Sequence, residues 1–206
     1  MNNYLLEIGV EELPSRFVNM AIEQLREKSQ KLLVENELGF EDVKVYATPR
    51  RLSLIIEGLD EKQKDITKEV KGPALKIAYD DEKNPTKPLL GFMNSQKITE
   101  KDIVIKEVKG TDYVVAHISS IGRDSAEILK GIIPGLIKDI NFPKNIRWGG
   151  KNIRFARPIR WVVSLLNDKV VEFDFEGIQV SNITKGHRFL GSSEVKIDKV
   201  ENYEKL

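Results

Sequence analysis

The chain has 206 residues, of which 40% are hydrophobic and 32% are charged, and its formal net charge at pH 7 is +1. This composition allows one ordinary domain or two small ones with a buried core, and it excludes wholesale disorder. The absence of cysteine excludes disulfides and thiolate metal sites, and no apolar run is long enough to cross a bilayer. With no export signal at its start, the sequence predicts a cytoplasmic protein without membrane association.

The amino-terminal quarter of the chain predicts a strand, a helix and a second extended segment. Residues 4–10 (YLLEIGV) are typical of a short buried strand. Pro14 lies where the first turn of a helix tolerates a missing N–H group, and apolar residues recur every three or four positions over 17–33, which predicts an amphipathic helix. Over 43–59 the apolar residues change to a two-residue period, which predicts a strand in which Pro49 marks a bend or an edge position.

The rest of the chain predicts two hairpins and a further helix. Residues 61–88 are rich in charge, glycine and proline, which predicts turns and one short helix and leaves open a division into two small lobes. Two β-rich runs around KGTD in 103–121 predict an antiparallel hairpin, and 161–175 predict a second one. A helix over 125–137 is expected to kink or end early at Pro134. These elements predict an α+β fold with antiparallel hairpins and packing helices.

The strongest functional pattern is the segment KNIRWGGKNIRFARPIRW at 144–161. It holds six cations, and no carboxylate occurs between Asp139 and Asp168. Phosphate is the expected partner, because guanidinium groups bind phosphate oxygens in bidentate fashion and the interleaved aromatic rings could stack on unpaired bases. The alternative is that the aromatic residues belong to the core and the arginines pair with carboxylates, such as those within 172–176. The candidate arginines are Arg147, Arg154, Arg157 and Arg160.

Two smaller groups of cations are further candidates. Arg50 and Arg51 form a second basic site, for which a structural salt bridge is an equal alternative. His187 and Arg188 lie in a loop-like segment and are candidates for contact with a phosphate or a terminal ribose. His117 falls within a predicted strand, so we expect it to be structural.

No catalytic constellation is found in the sequence. An acidic group near the start of the chain is interpreted as favouring the positive end of the dipole of the following helix; its members are Glu7, Glu11 and Glu12. The chain has no phosphate-binding loop, no dinucleotide-binding turn, no HExxH helix and no Cys/His metal spacing. We therefore expect no catalytic, cofactor-binding or metal-binding residue in it.

Seven sequence blocks follow one another in order. They are LLEIGVEELPSRF (5–17), ATPRRLSL (47–54), KGPA (71–74), PTKPLLGF (85–92), IRWGG (146–150), RFARPIRWVVSLL (154–166) and TKGHRFLG (184–191). This series resembles the beta subunit of the bacterial glycyl-tRNA synthetase that is built from separate alpha and beta chains. The resemblance covers nearly the whole chain, and its specificity comes from the ordered set of blocks.

The resemblance implies that the chain is an amino-terminal fragment of such a beta subunit, within the glycine–tRNA ligase that attaches glycine to tRNA-Gly using ATP. It implies that ATP and Mg²⁺ bind in the alpha subunit, and that the partners are this subunit, tRNA-Gly and the remainder of the beta chain. We expect the fragment to help bind tRNA and assemble the enzyme without an adenylate-forming site. Two alternatives stay open: an editing hydrolase acting on mischarged tRNA, and a structural module at a subunit interface.

Overall fold

The structure, a computed structural model, describes residues 1–80, 82–108, 110–148, 153–186 and 194–205. These residues form two compact units. The first unit contains Met1–Gln63 and Arg123–Leu206, and the second contains Lys64–Gly122. The second unit is therefore an insertion in the chain of the first.

The described residues form thirteen strands and four α-helices. The strands are β1 (Asn2–Val10), β2 (Asp42–Thr48), β3 (Arg51–Leu59), β4 (Ile66–Ala74), β5 (Ile103–Val108), β6 (Thr111–Ser120), β7 (Ile146–Arg147), β8 (Arg154–Phe155), β9 (Ile159–Leu166), β10 (Lys169–Val170), β11 (Val180–Ser181), β12 (Ile183–Thr184) and β13 (Val195–Lys196). The helices are α1 (Ser15–Glu35), α2 (Leu75–Ala78), α3 (Lys87–Gln96) and α4 (Ser125–Lys138), and short 3₁₀ helices occupy Glu100–Asp102 and Val200–Lys205.

The first unit is built on a six-stranded sheet with β1 at its centre. The strand order is β10–β9–β1–β3–β2, and β11 pairs with β9 in parallel. The other pairs in this sheet are antiparallel, so β1 runs opposite to both of its neighbours, β3 and β9. Residues 4–10 of β1 are all buried, because both faces of the sheet are covered here.

The two faces of this sheet support two separate cores. Side chains alternate along a strand, so Leu6 and Ile8 of β1 face a large core whereas Leu5 faces a smaller one. Apolar residues of α1 and α4, spaced three and four apart, complete the large core. The smaller core includes Ile197 and Val200, so the carboxy-terminal segment covers the second face of the sheet.

The second unit is a three-stranded antiparallel sheet, ordered β4–β6–β5, with α2 and α3. Its core is small and centres on Ala78, Leu89 and Val114. Gly72 of β4 lies close to the ring of Phe92, since an added Cβ would come within 2.7 Å of a ring carbon. The strand and the helix can approach this closely because residue 72 has no side chain.

The α+β prediction is confirmed, as are the strand at 4–10, the amphipathic helix after Pro14 and the hairpin within 103–121. The hairpin predicted at 161–175 also forms, but its second strand has only two residues. The helix at 125–137 continues through Pro134, so the prediction of an early end is wrong.

Two segments differ from the sequence predictions. Residues 43–59 form the two antiparallel strands β2 and β3, because the chain reverses at Pro49 and Arg50. The turn is closed locally by a hydrogen bond from the Arg50 N–H to the Thr48 hydroxyl (3.3 Å). Residues 61–88 contain the unpredicted strand β4, which has few apolar residues and exists by pairing with β6. The short helix predicted in this segment is α2, whereas α3, with Pro88 in its first turn, was not predicted.

Candidate functional site

One end of the sheet in the first unit forms a cleft of about 810 Å³ lined mainly by charged side chains. Because β1 is antiparallel to β3 and β9, its end lies beside the starts of both. The N–H groups of Val10 and Glu11 donate hydrogen bonds to the carbonyls of Arg50 (2.9 Å) and Pro158 (3.0 Å). Sheet topology thus brings together residues that are distant in sequence. The charged lining residues are Glu11, Glu12, Arg50, Arg157, Arg160 and Lys185.

Among the described residues that line this cleft, cations exceed carboxylates, with four cationic side chains and two carboxylates, which leaves an excess of two positive charges. Arg160 is paired with Glu11 by a hydrogen bond and an ion pair. The guanidinium group of Arg157 donates instead to the carbonyls of Glu12 (3.1 Å) and Ala156 (3.3 Å). These carbonyls orient the guanidinium group without neutralising its charge. The cleft therefore presents the oriented, charged side chain of Arg157 to an incoming anion.

Arg50 and Arg51 are adjacent in sequence but differ in their surroundings. Arg50 lies in the turn between β2 and β3 and lines the cleft. Arg51 begins β3, and its Nη1 lies 3.6 Å from the Oε2 atom of Glu7. Its Nη2 donates a hydrogen bond to the carbonyl of Lys185 (2.5 Å). The structural ion pair that the sequence left open is therefore present at Arg51.

Glu7 is a fully buried carboxylate in the middle of β1. Its Oε1 atom accepts hydrogen bonds from the indole N–H of Trp161 (2.6 Å) and the hydroxyl of Thr184 (2.5 Å). Its Oε2 atom accepts one from the hydroxyl of Tyr203 and faces Arg51. A single carboxylate thus joins β1, β3, β9, β12 and the final 3₁₀ helix.

The helix-dipole interpretation of the acidic group is wrong for Glu7. Glu7 lies within a strand, and the first turn of α1 contains no acidic residue. Glu11 and Glu12 lie between β1 and α1 and line the cleft. The sequence did contain an indication for Glu7, because a lone carboxylate inside an otherwise apolar strand must be buried with partners.

The Tyr203 hydroxyl remains protonated over the ordinary pH range. Burial raises the pKa of Tyr203 well above its usual range, and the negative charge of Glu7 raises it further. The hydroxyl therefore donates to Glu7, and it shares a second hydrogen bond of 2.5 Å with the hydroxyl of Ser53. These bonds attach the final 3₁₀ helix to β1 and β3.

Arg147 and Arg154 lie on a separate feature, the two-stranded ribbon formed by β7 and β8. They are directly opposite each other in its register, and both are exposed. No carboxylate of the described residues forms an ion pair with either arginine, and Glu176 is paired with Lys138 (2.8 Å). Like charges in opposite positions destabilise a ribbon. The structure thus divides the four arginines of 144–161 between the ribbon and the cleft.

The aromatic residues of this segment are part of the fold. Phe155 is fully buried and makes an edge-on contact with Phe142, with ring centroids 5.0 Å apart. Trp161 is buried and donates its N–H to Glu7, and Trp148 packs against the large core. The prediction that these rings stack on bases is wrong for Phe155 and Trp161, because little of either ring is accessible.

Comparison with known proteins identifies the family. The family model described as glycyl-tRNA synthetase beta subunit matches residues 4–206. The chain belongs to the glycyl-tRNA synthetase beta subunit family. The resemblance inferred from the ordered blocks is therefore confirmed.

Relatives of this family are similar along the whole chain. A Clostridioides difficile (strain 630) protein named glycine–tRNA ligase beta subunit is 56% identical over 208 residues, covering 100% of this chain and 30% of the relative. Proteins of the same name from Limosilactobacillus reuteri (strain DSM 20016) and Natranaerobius thermophilus are 47% and 42% identical, covering 98% and 100% of this chain. The chain spans 29% and 30% of those two relatives.

The blocks by which this beta-subunit family was recognised converge on the cleft. The block at 5–17 contributes the two carboxylates, and the block at 47–54 contributes Arg50. The cations Arg157 and Arg160 come from the block at 154–166, and Lys185 comes from the block at 184–191. Four of the seven blocks therefore meet at one place on the surface.

Of the two histidines of this family member, only His117 lies among the described residues. His187 and its neighbour Arg188 lie outside the described residues, so they stay sequence predictions. His117 is in β6, and its Nε2 lies 3.5 Å from the carboxylate of Glu69 on the neighbouring strand β4. Glu69 also accepts hydrogen bonds from Lys106, so His117 takes part in an ordinary cross-strand polar group.

The described residues of this family member lack two further features. None of their helices is long and apolar enough to cross a membrane. No three acidic or histidine side chains in the described part of the chain converge in a way that could hold a metal ion.

Proposed function

We propose that the basic cleft binds the phosphate backbone of tRNA-Gly as part of a cytoplasmic glycine–tRNA ligase. The supporting observation is the excess of cations over carboxylates in a cleft of about 810 Å³, with Arg157 oriented by main-chain carbonyls. Cations that neutralise phosphates release counterions, which supplies affinity without reading sequence. The family assignment indicates which polyanion this enzyme would meet.

The proposal assigns this chain to tRNA binding and enzyme assembly. Its partners are the alpha subunit, where ATP and Mg²⁺ would bind, and the remainder of the beta chain. Among the residues that the structure describes, the cleft lining contains cations and carboxylates but no serine, threonine, cysteine or histidine. In this proposal the cleft residues hold the tRNA in place while the adenylate chemistry proceeds in the alpha subunit.

The ribbon extends the proposed phosphate surface. Arg147 and Arg154 are exposed and opposite each other, an arrangement that repels in the free protein and becomes favourable when a phosphate lies between them. The ribbon and the cleft supply positive charge on two features of the first unit. A nucleic-acid backbone presents regularly spaced phosphates that can occupy more than one such feature.

The test uses the full-length beta chain assembled with its alpha subunit. Binding of tRNA-Gly is measured over a salt series for the wild type and for Arg157→Ala, Arg160→Ala and Lys185→Ala. Each substitution is expected to weaken binding roughly tenfold, as for a lost hydrogen bond to a charged group. Each should also flatten the log–log salt dependence by about 0.7 to 0.9 per lost phosphate contact, by analogy with DNA and single strands.

The matched control is Arg26→Ala, which removes an exposed arginine from α1, outside the cleft. It should leave the affinity and the salt slope unchanged. The proposal is contradicted when the cleft variants assemble normally and bind tRNA-Gly like the wild type. Loss of alpha-subunit assembly in the cleft variants, at protein concentrations where tRNA affinity is unaffected, would instead favour a scaffold. Hydrolysis of mischarged tRNA that the cleft substitutions abolish would favour an editing site.

A further inference from the structure

Glu7 is connected to the proposed tRNA cleft through other side chains and is not itself exposed in the cleft. The carboxylate is fully buried on the second face of β1, whereas the cleft lies at the end of the same strand. Among the described residues, its direct partners are the side chains of Trp161, Thr184, Tyr203 and Arg51. A ligand in the cleft therefore cannot touch Glu7, so any effect of this residue on binding must pass through its partners.

Three of the contacts made by Glu7 lead to the wall of the cleft. Trp161 is one of the residues that line the cleft, and its indole N–H donates to Glu7. Thr184 immediately precedes Lys185, and its hydroxyl donates to the same carboxylate oxygen. Arg51, opposite the other oxygen, donates to the carbonyl of Lys185. These contacts fix the position of Lys185 through its own main-chain carbonyl and through the preceding residue, Thr184.

The orientation of the Lys185 side chain completes this connection. Its ammonium nitrogen lies 5.7 Å from the centroid of the Trp161 ring, within the range of a cation–π contact. The ring beneath it is fixed by the hydrogen bond to Glu7. The carboxylate thus fixes the carbonyl and the cationic end of Lys185, each through one intermediate side chain.

A buried carboxylate contributes little net stability to a fold. Removing a charge from water is costly, and well-packed apolar residues can often replace a buried ion pair without loss of stability. Glu7, in contrast, fixes the direction of several donors at once, which apolar side chains cannot do. We propose that Glu7 is a positioning residue that places Lys185 in the cleft for tRNA phosphate, an inference that rests on the proposed function.

The test compares Glu7→Gln with the wild type in the full-length beta chain assembled with the alpha subunit. Glutamine keeps the size of the side chain and one acceptor oxygen but removes the charge opposite Arg51. The expected result is roughly tenfold weaker binding of tRNA-Gly and a salt slope flattened by about 0.7 to 0.9, the change for one lost phosphate contact. Adding Lys185→Ala to Glu7→Gln should weaken binding no further than Lys185→Ala alone, because both changes remove the same contact.

The matched control is Tyr4→Phe, which removes a buried hydrogen bond to Ser164 (2.8 Å) between the same two strands, β1 and β9. Tyr4 faces the large core, on the other side of the sheet from Glu7, so this variant should bind tRNA with the wild-type affinity and slope. Equal losses in Tyr4→Phe and Glu7→Gln would overturn the inference, since they would indicate a general effect of weakening the sheet.

The remaining outcomes separate this inference from the proposed function. Wild-type binding by Glu7→Gln, with weak binding by Lys185→Ala, overturns the positioning role and leaves the cleft intact as a tRNA site. Additive losses in the double variant also overturn it. Should Glu7→Gln fail to assemble, Glu7→Gln combined with Arg51→Gln removes both charges together, and the same coupling to Lys185→Ala is measured. Failure of the cleft itself is detected separately by Arg157→Ala and Arg160→Ala.

Discussion

Gly9 of β1 is required by the ring of Trp161, and replacing it with alanine should weaken the centre of the sheet. The two residues are register partners in β1 and β9. A Cβ atom added at residue 9 would lie 2.0 Å from two ring carbons of Trp161. The ring cannot swing away freely, because it is buried and its N–H donates to Glu7.

The expected cost follows from two opposing effects. Inserting a methyl group into a well-packed site costs about 1–3 kcal/mol, and an approach of 2.0 Å lies well inside ordinary contact distance, which favours the upper part of this range. Alanine recovers about 0.5–1 kcal/mol relative to glycine within a strand. The clash therefore dominates, with a net destabilisation of about 2 kcal/mol, which corresponds to roughly a thirtyfold change in an opening equilibrium.

Hydrogen–deuterium exchange in the assembled enzyme measures this change in the relevant strands. Peptides covering β1 and β9 should exchange roughly thirtyfold faster in Gly9→Ala when exchange reports the opening equilibrium. Gly131→Ala in α4 is the matched control, because a Cβ there meets nothing within 4 Å. It should slow exchange in α4, since alanine gains up to about 1 kcal/mol over glycine in a helix. Unchanged exchange of β1 and β9 in Gly9→Ala would refute the requirement for glycine.

Two further predictions concern a buried tyrosine and the ribbon. Burial raises the pKa of Tyr4 far above its usual range. The neutral hydroxyl therefore makes its full contribution to stability below the unfolded-state pKa of about 10. This contribution is lost as the pH rises toward the folded-state pKa. In Tyr4→Phe the free energy of unfolding, measured by urea denaturation of the enzyme, should fall less steeply with pH above about pH 10 than in the wild type. An unchanged pH profile would contradict this prediction. Arg154→Ala removes the like charge opposite Arg147, so it should stabilise the ribbon by about 0.2–1 kcal/mol while weakening tRNA-Gly binding in the salt series. A variant that binds tRNA-Gly as tightly as the wild type would remove the ribbon from the proposed surface.

Local patterns were sufficient to predict several elements of this protein. The apolar run at 4–10, the three- and four-residue spacing over 17–33 and the KGTD turn each specify structure within a few neighbouring residues. The basic segment at 144–161 and the ordered blocks were also visible in the sequence, and they led to the family. These properties need no knowledge of which distant residues meet.

The strands β2 and β4 required more than local pattern. A two-residue period over 43–59 is the same whether the chain bends at Pro49 or reverses there, and only the pairing of β2 with β3 distinguishes these outcomes. The strand β4 has too few apolar residues to be recognised alone, and its backbone hydrogen bonds are made with β6, far along the chain.

The composition of the cleft was decided by tertiary structure. The sequence by itself determined that arginines are concentrated at 144–161 and that no carboxylate accompanies them there. Only the fold placed Arg157 and Arg160 with Arg50 and Lys185, and separated them from the arginines of the ribbon. Glu7 and its partner Tyr203 are 196 positions apart. Sequence periodicity reports which face of an element is buried, but the partner of a buried charge is chosen by long-range strand order and register.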